Sequence, residues 1–130
     1  MSSNVEKPDF ASEVTRIAEE LAELEQLDFS RPSLAALDAR LAQNTDKDFA
    51  RAAGAYLAEV IIRRSPVKLR WVESKRVNAA WKDADNPFVL ATPKNLVFAV
   101  IGKALKRDGS LAELADKVQE LCSREATSGG

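Results

Sequence analysis

The sequence predicts an α+β protein, a mostly α-helical single domain of about five helices with a three-stranded antiparallel meander between the third and the fourth. Two observations predict this class. Across most of the chain, apolar residues recur every three or four positions, as in amphipathic helices. Over residues 67–91 the period falls to two, and turn-forming residues separate short apolar runs, as in antiparallel strands. We expect residues 1–125 to form the domain, with 1–7 and 126–130 disordered.

The composition favours a cytoplasmic protein with one core. The chain has 130 residues, of which 45% are hydrophobic, which suits a single domain. Its longest apolar run, Leu96 to Ile101, is far shorter than the roughly 20 residues of a membrane span. The polar, acidic beginning of the chain lacks the pattern of a secretory signal, and the single cysteine, Cys122, is expected to be a small buried hydrophobe.

The first two helices are predicted from single apolar stripes. The first should cover Pro8–Leu27, with a face of mostly Glu opposite the stripe. In the second, Ser33 is the predicted N-cap, and residues 44–46 end the helix. The stripe residues are Phe10, Val14, Ile17, Leu21 and Leu24 in the first helix and Leu34, Leu37 and Leu41 in the second.

The third helix is predicted to be the central one. It should begin at Asp46 or Asp48 and end at Ser65-Pro66. A glycine inside a helix costs about 1 kcal/mol relative to alanine, so Gly54 indicates a close neighbour on a second side. The wide apolar stripe comprises Phe49, Ala52, Ala53, Tyr56, Leu57, Val60 and Ile61, and the small residues Ala50, Gly54 and Ala58 form the other side.

The meander is predicted from three runs with a period of two, over residues 67–72, 77–81 and 88–91. Trp71 and Trp81 lie on the apolar phase of the first two runs. We therefore expect both tryptophans to be buried and to pack the meander against the third helix.

Two helices should follow the meander. Thr92 as the cap and Pro93 at the first helical position predict a helix leading into residues 96–107, although Leu96–Ile101 could instead be a buried strand. Ser110 and Glu113 have the spacing of a capping box that opens the last helix. The apolar residues of the last helix are Leu111, Leu114, Ala115, Val118, Leu121 and Cys122.

Part of the chain resembles a known group of domains. Residues 54–60 read Gly-Ala-Tyr-Leu-Ala-Glu-Val, residues 70–73 read Arg-Trp-Val-Glu, and an apolar-to-basic stretch ends in Ile-Gly-Lys-Ala-Leu at residues 101–105. This order is similar to uncharacterised bacterial domains in which a Gly-x-x-Leu-x-Glu-Val helix precedes a tryptophan strand, a meander and a closing helix. The resemblance covers residues 49–107 and implies that order of elements, but no activity.

No catalytic residue is predicted. The chain has no histidine, which removes the Ser-His-Asp and Cys-His arrangements and the commonest zinc ligand. Glu59 lies one helical turn from Tyr56, so the two could share a site, but a solvated or salt-bridged Glu59 is the favoured interpretation. We expect a protein that is not an enzyme and that binds no metal and no cofactor.

Charge is distributed unevenly along the chain, and this predicts a charged partner. The acidic residues before residue 29 are Glu6, Asp9, Glu13, Glu19, Glu20, Glu23, Glu25 and Asp28, against Lys7 and Arg16. Over residues 63–82 the basic residues are Arg63, Arg64, Lys68, Arg70, Lys75, Arg76 and Lys82, against Glu73.

The first six of these basic residues, Arg63, Arg64, Lys68, Arg70, Lys75 and Arg76, are the candidate binding residues. The leading hypothesis is a protein-interaction or adaptor module that binds an acidic protein or the first helix of another copy. The alternative is a nucleic-acid accessory domain that uses the same residues against phosphates. It is disfavoured by the sequence pI of about 5.6 and by the lack of a groove-reading motif. The third hypothesis is a small enzyme that works without histidine, and ordinary solubilising charge is the interpretation that needs no partner.

Overall fold

The computed structural model describes residues 4–6, 8–74, 88–94, 96–106 and 109–128. Within these ranges there are five helices and four strands. Three of the strands lie between the third and fourth helices, so the predicted α+β class and order are confirmed. The elements are β1 (Asn4–Glu6), α1 (Pro8–Glu25), α2 (Arg31–Ala42), α3 (Lys47–Arg64), β2 (Arg70–Ser74), β3 (Phe88–Ala91), β4 (Val97–Phe98), α4 (Val100–Lys106) and α5 (Leu111–Ser128).

Helix α3 forms the centre of the core, as predicted. Asp46 caps it, because the Asp46 side chain accepts a hydrogen bond from the N–H of Asp48 at 3.0 Å. Every residue from 53 to 61 is buried. The other four helices all contact α3, so its backbone and side chains are covered on several sides.

Helix α4 crosses α3 at Gly54. A Cβ atom on Gly54 would lie 2.9 Å from the Cα of Ile101 and 3.0 Å from the Cβ of Ala104. The prediction that another backbone approaches Gly54 closely is therefore confirmed. The missing side chain permits the close contact between the two helices.

The four described strands form one antiparallel sheet in the order β1-β2-β3-β4. Trp71 on β2 lies opposite Leu90 on β3, and both are buried. Strand β2 lies beside α1, and β3 lies beside α4. The predicted burial of Trp71 is confirmed, but the described strands pack mainly beside α1 and α4, not against the third helix as predicted. Trp81 and the strand predicted at 77–81 lie outside the described residues.

The prediction that Thr92 and Pro93 begin a helix is wrong. These residues belong to a turn between β3 and β4, in which Thr92 N–H donates to the carbonyl of Leu96 at 2.9 Å. Val97 and Phe98 then pair with β3, and the helix begins only at Val100. The apolar run 96–101 is thus divided between a strand and a helix. The hydrogen bond from Thr92 to Leu96 closes the turn and brings Val97 and Phe98 beside β3, so the helix can begin only after them.

Parts of the two terminal segments that we expected to be disordered belong to described elements, residues 4–6 to β1 and residues 126–128 to α5. Strand β1 pairs with β2, with Val5 opposite Glu73, so the edge of the sheet orders the beginning of the chain. At the other end, α5 continues to Ser128. Near the end of α5, the buried Glu125 accepts a hydrogen bond from the hydroxyl of Thr92 and so connects this helix to the sheet.

The ends of the first two helices also differ from the prediction. Helix α1 ends at Glu25, because Gln26 adopts a left-handed backbone (φ 56°) and Leu27 N–H bonds to the carbonyl of Ala22. Helix α2 begins at Arg31 with Ser30, not Ser33, as its N-cap. None of the helices within the described ranges combines the length and apolar content that a bilayer crossing requires.

Candidate functional site

Of the six candidate binding residues, the structure describes four, and it gives them different environments. Lys75 and Arg76 lie outside the described residues. Arg63 and Arg64 are the last two residues of α3, Lys68 lies in the connection to the sheet, and Arg70 is the first residue of β2. Successive residues on a helix point about 100° apart, so Arg63 and Arg64 face different neighbours.

Arg63 is held by groups of the protein itself. Its Nε donates to Glu59 Oε1 at 3.3 Å, and its guanidinium carbon lies 3.8 Å from the centre of the Phe29 ring. The Arg63 side chain nevertheless remains 43% exposed. An external anion can therefore reach Arg63, but it must compete with Glu59 and Phe29.

Arg64 lies on the side of α3 that faces α5. There, Arg31 donates two hydrogen bonds to the carboxylate of Asp116, at 3.1 and 2.7 Å. The hydrogen bond from Arg31 is the main reason that the pKa of Asp116 lies below its usual value, and the positive charge of Arg64 contributes. Arg64 itself is exposed, so its guanidinium is accessible from solvent.

Arg70 is half-buried and supports the β3–β4 turn. Its Nη1 donates to the carbonyl of Thr92 at 2.8 Å. The Arg70 guanidinium therefore folds onto the turn and is only partly accessible from solvent. Of the four described candidates, Arg64 and Lys68 are exposed and Arg63 is partly exposed.

The turn that Arg70 supports contacts a buried carboxylate of α5 that the sequence analysis did not identify. Glu125 on α5 is 6% exposed and accepts hydrogen bonds from the Thr92 hydroxyl at 2.5 Å and from the N–H of Lys94 at 3.4 Å. Both carboxylate oxygens have donors from the turn. Glu125 thus fastens the last helix to the sheet and has a structural role.

Glu59 and Tyr56 do not share a site. Glu59 is 7% exposed, and its second oxygen, Oε2, accepts a hydrogen bond from the Thr15 hydroxyl on α1 at 3.1 Å. The hydroxyl of Tyr56 lies 2.6 Å from Ser33 Oγ and accepts a hydrogen bond from the N–H of Phe29. The interpretation of Glu59 as a salt-bridged residue is confirmed by its contact with Arg63.

Cys122 is completely buried in the core, and burial raises the pKa of its thiol. The thiol is therefore neutral near pH 7. This matches the expected small packed hydrophobe and gives no reactive nucleophile at this position.

The outer face of α1 is acidic. Glu13, Glu19, Glu20 and Glu23 are exposed, and Arg16 pairs with Glu20 at 3.0 Å. A shallow groove of about 570 Å³ follows the helix. The residues that line the groove are Ala11, Ser12, Thr15, Arg16, Glu19, Glu20 and Glu23.

Leu24 lies at the end of this acidic face. Its side chain is 77% exposed, the highest exposure of any large apolar residue in the described ranges. The sequence placed Leu24 in the core stripe of the first helix, and this prediction is wrong. The buried residues of α1 within the described side chains are Val14, Ala18, Leu21 and Ala22.

Comparison with known proteins gave no match to a family model, a curated protein or a solved structure. The resemblance to uncharacterised bacterial domains therefore stays a prediction.

Proposed function

We propose that this protein is a cytoplasmic, non-enzymatic protein-interaction module that binds an acidic protein surface through the basic end of α3 and the segment after it. The partner that we propose to test first is the acidic face of α1 on a second copy of the chain. The observation that carries this proposal is that one small domain exposes both the carboxylates of α1 and the cations Arg64 and Lys68.

The basic surface in this proposal centres on Arg64 and Lys68, because both are exposed. Arg63 is partly exposed and contributes if a partner displaces Glu59. Arg70 is half-buried and supports the β3–β4 turn, so the proposal gives it no part in binding and uses three of the four described candidates.

The acidic surface offers carboxylates and an apolar contact together. Glu19 and Glu23 lie one turn apart on α1, and both are exposed without a basic neighbour on the same helix at ion-pair distance. Leu24 follows directly and would lose water on contact with a partner, which favours association. Side chains spaced by three or four residues on this face also form rows against which a partner helix can pack.

Two such contacts can form at once between two copies. If the basic end of one copy meets α1 of the other and the reverse contact also forms, the dimer closes with twofold symmetry. Contacts between exposed charges are screened over about 10 Å at 0.1 M salt, so the association should weaken as the salt concentration rises.

Sedimentation velocity at several protein concentrations tests the proposal. We expect the wild-type protein to self-associate at about 50 mM salt, with weaker association at about 500 mM. Reversing the charge of Arg64 and Lys68 to Glu should abolish association. A matched control is Arg124→Glu, since Arg124 lies on α5 with a side chain that is 71% exposed. A wild-type protein that stays monomeric at low salt would contradict self-association through these surfaces.

A further inference from the structure

The connection between α1 and α2 is held in a strained conformation. Phe29 has a φ of 61°, in the left-handed region that a bulky residue rarely adopts. Such a backbone persists only when surrounding contacts determine it. Here the N–H of Phe29 donates to the hydroxyl of the buried Tyr56 at 2.7 Å, and the two rings stack with their centres 4.8 Å apart.

Arg63 packs on the Phe29 ring at the solvent-exposed end of this stack. Its guanidinium covers the Phe29 ring at 3.8 Å and also pairs with the buried carboxylate of Glu59. Through Thr15, Glu59 is bonded to α1 as well. Arg63 is thus the partly exposed member of a set of contacting side chains that links Thr15 on α1, Phe29 in the connection and Glu59 on α3.

We propose that the contacts of Arg63 hold the α1–α2 connection (residues 26–30) in its strained conformation, and we call this role of Arg63 a latch. We further propose that an acidic partner draws Arg63 away from Phe29 and Glu59, so that the connection leaves this conformation, that is, opens. The second half of the proposal rests on the function proposed above. The partner's carboxylate would replace that of Glu59 at the guanidinium. Phe29 would then lose its cation–π contact, and the strain at its backbone would favour release.

Coupling of this kind is reciprocal. If an acidic partner binds Arg63 only when the connection is open, a change that favours the open form must strengthen the binding of the partner, by at most the cost of opening. The latch therefore predicts that Phe29→Ala, which removes the ring from the guanidinium, increases the affinity for a carboxylate-rich ligand. The unmodified protein would bind such a ligand more weakly because part of its binding energy is spent on opening.

The latch alone is tested by hydrogen exchange at the backbone amide of Phe29, measured by NMR without any ligand. Loss of the guanidinium in Arg63→Met should speed this exchange about tenfold or more, while amides in the middle of α3 keep their protection. Arg64→Met is the matched control and should leave the Phe29 amide unchanged. Unchanged exchange at Phe29 in Arg63→Met would overturn the latch.

Arg63→Gln keeps the test decisive if Arg63→Met fails to fold. Glutamine can still donate a hydrogen bond to Glu59 but has no positive charge to place over the ring. We expect exchange at Phe29 to be faster than in the wild-type protein in this variant too. Wild-type exchange in Arg63→Gln, with Arg63→Met unfolded, would also overturn the latch.

The coupling to an acidic partner is tested by adding a polyglutamate peptide to the wild-type protein at low salt. We expect the peptide to speed exchange at the Phe29 amide and to bind Phe29→Ala more tightly. Binding without any change in exchange would overturn the coupling. A peptide that does not bind at all would contradict the proposed acidic partner, while the exchange data on Arg63→Met would still decide the latch.

Discussion

Gly54 and Ile101 stand at the closest approach between α3 and α4, where a methyl group on residue 54 would lie 2.9 Å from the backbone of Ile101. Real Cβ atoms do not approach a backbone atom so closely, and the backbone of a packed helix cannot move aside cheaply. Gly54 therefore sets the distance between the two helices.

Replacing Gly54 should destabilise the protein even though alanine is the better helix former. Gly54→Ala should lower the free energy of unfolding by about 1 to 3 kcal/mol, and Gly54→Leu by more, because added atoms overpack the contact. Chemical denaturation measures both values. Ala39→Gly on the exposed side of α2 is the matched control and should cost about 1 kcal/mol through helix propensity alone. A stabilised Gly54→Leu protein would show that the contact is absent.

Trp71 should be one of the main contributors to stability on the sheet. Its side chain is almost fully buried opposite Leu90. Trp71→Ala should therefore reduce the free energy of unfolding by about 3 to 5 kcal/mol, whereas Lys117→Ala on the exposed face of α5 should change it by less than about 0.5 kcal/mol. Thermal unfolding followed by circular dichroism measures the effect. A Trp71→Ala protein as stable as the wild type would refute the observed burial.

Asp116 should titrate below the usual range for an aspartate. The hydrogen bonds from Arg31 favour its charged form, so its folded pKa is lower than its unfolded one. The pair then stabilises the fold above the unfolded pKa, and this contribution is lost as the pH falls through the lowered folded pKa, below about pH 4. NMR titration of the carboxyl carbon should show the pKa of Asp116 rising in Arg31→Gln.

Asp28 provides the internal control for this titration. Its pKa is lowered mainly by the hydrogen bond from the Ser30 side chain, so it should not respond to the change at Arg31. A normal pKa for Asp116 in the wild-type protein, equal to that in Arg31→Gln, would contradict the paired geometry.

Nucleic-acid binding should be weak at physiological salt. Two of the four described candidate residues contact groups of the protein itself, Arg63 through Glu59 and Arg70 through the Thr92 carbonyl, so a phosphate must compete with these groups. We expect no binding tighter than about 10 μM to random DNA or RNA at about 150 mM salt, and only salt-sensitive binding below it. Fluorescence anisotropy measures this affinity. Submicromolar binding that Arg64→Glu with Lys68→Glu abolishes would favour the nucleic-acid alternative.

The sequence predicted the features that depend on local periodicity. The spacing of apolar residues identified α3 as the central helix, and Gly54 indicated the close approach of another element, because a helix interior tolerates glycine only for a reason. The alternation around Trp71 likewise indicated a strand with a buried face. These inferences required no knowledge of distant contacts.

The features that the sequence did not predict depend on partners far along the chain. Thr92 and Pro93 have the local pattern of a helix start, but Glu125, 33 residues later, binds the Thr92 hydroxyl in a turn. Asp38 is similar, since it accepts hydrogen bonds from the N–H groups of Leu111 and Ala112 and so caps α5 from another helix. No local pattern contains such contacts.

The candidate binding residues were predicted from charge alone, and charge does not reveal which cations the fold itself uses. Arg63 and Arg70 carry the same charge as Arg64, yet their guanidinium groups contact Phe29 and the Thr92 carbonyl. Leu24 was misplaced for a related reason. Its spacing fits the stripe of α1, but the core covers the side of the helix that contains Ala18 and Ala22.

The central claim, that opposite charges on two surfaces of this domain bind each other, is tested most directly by mixing two charge-reversed variants. One variant carries Glu19→Lys and Glu23→Lys on α1, and the other carries Arg64→Glu and Lys68→Glu. Sedimentation velocity at low salt should show each variant alone as a monomer, because like charges then face each other. An equimolar mixture should associate, since both contacts regain opposite charges. A mixture that stays monomeric, while the wild-type protein associates, would contradict the claim.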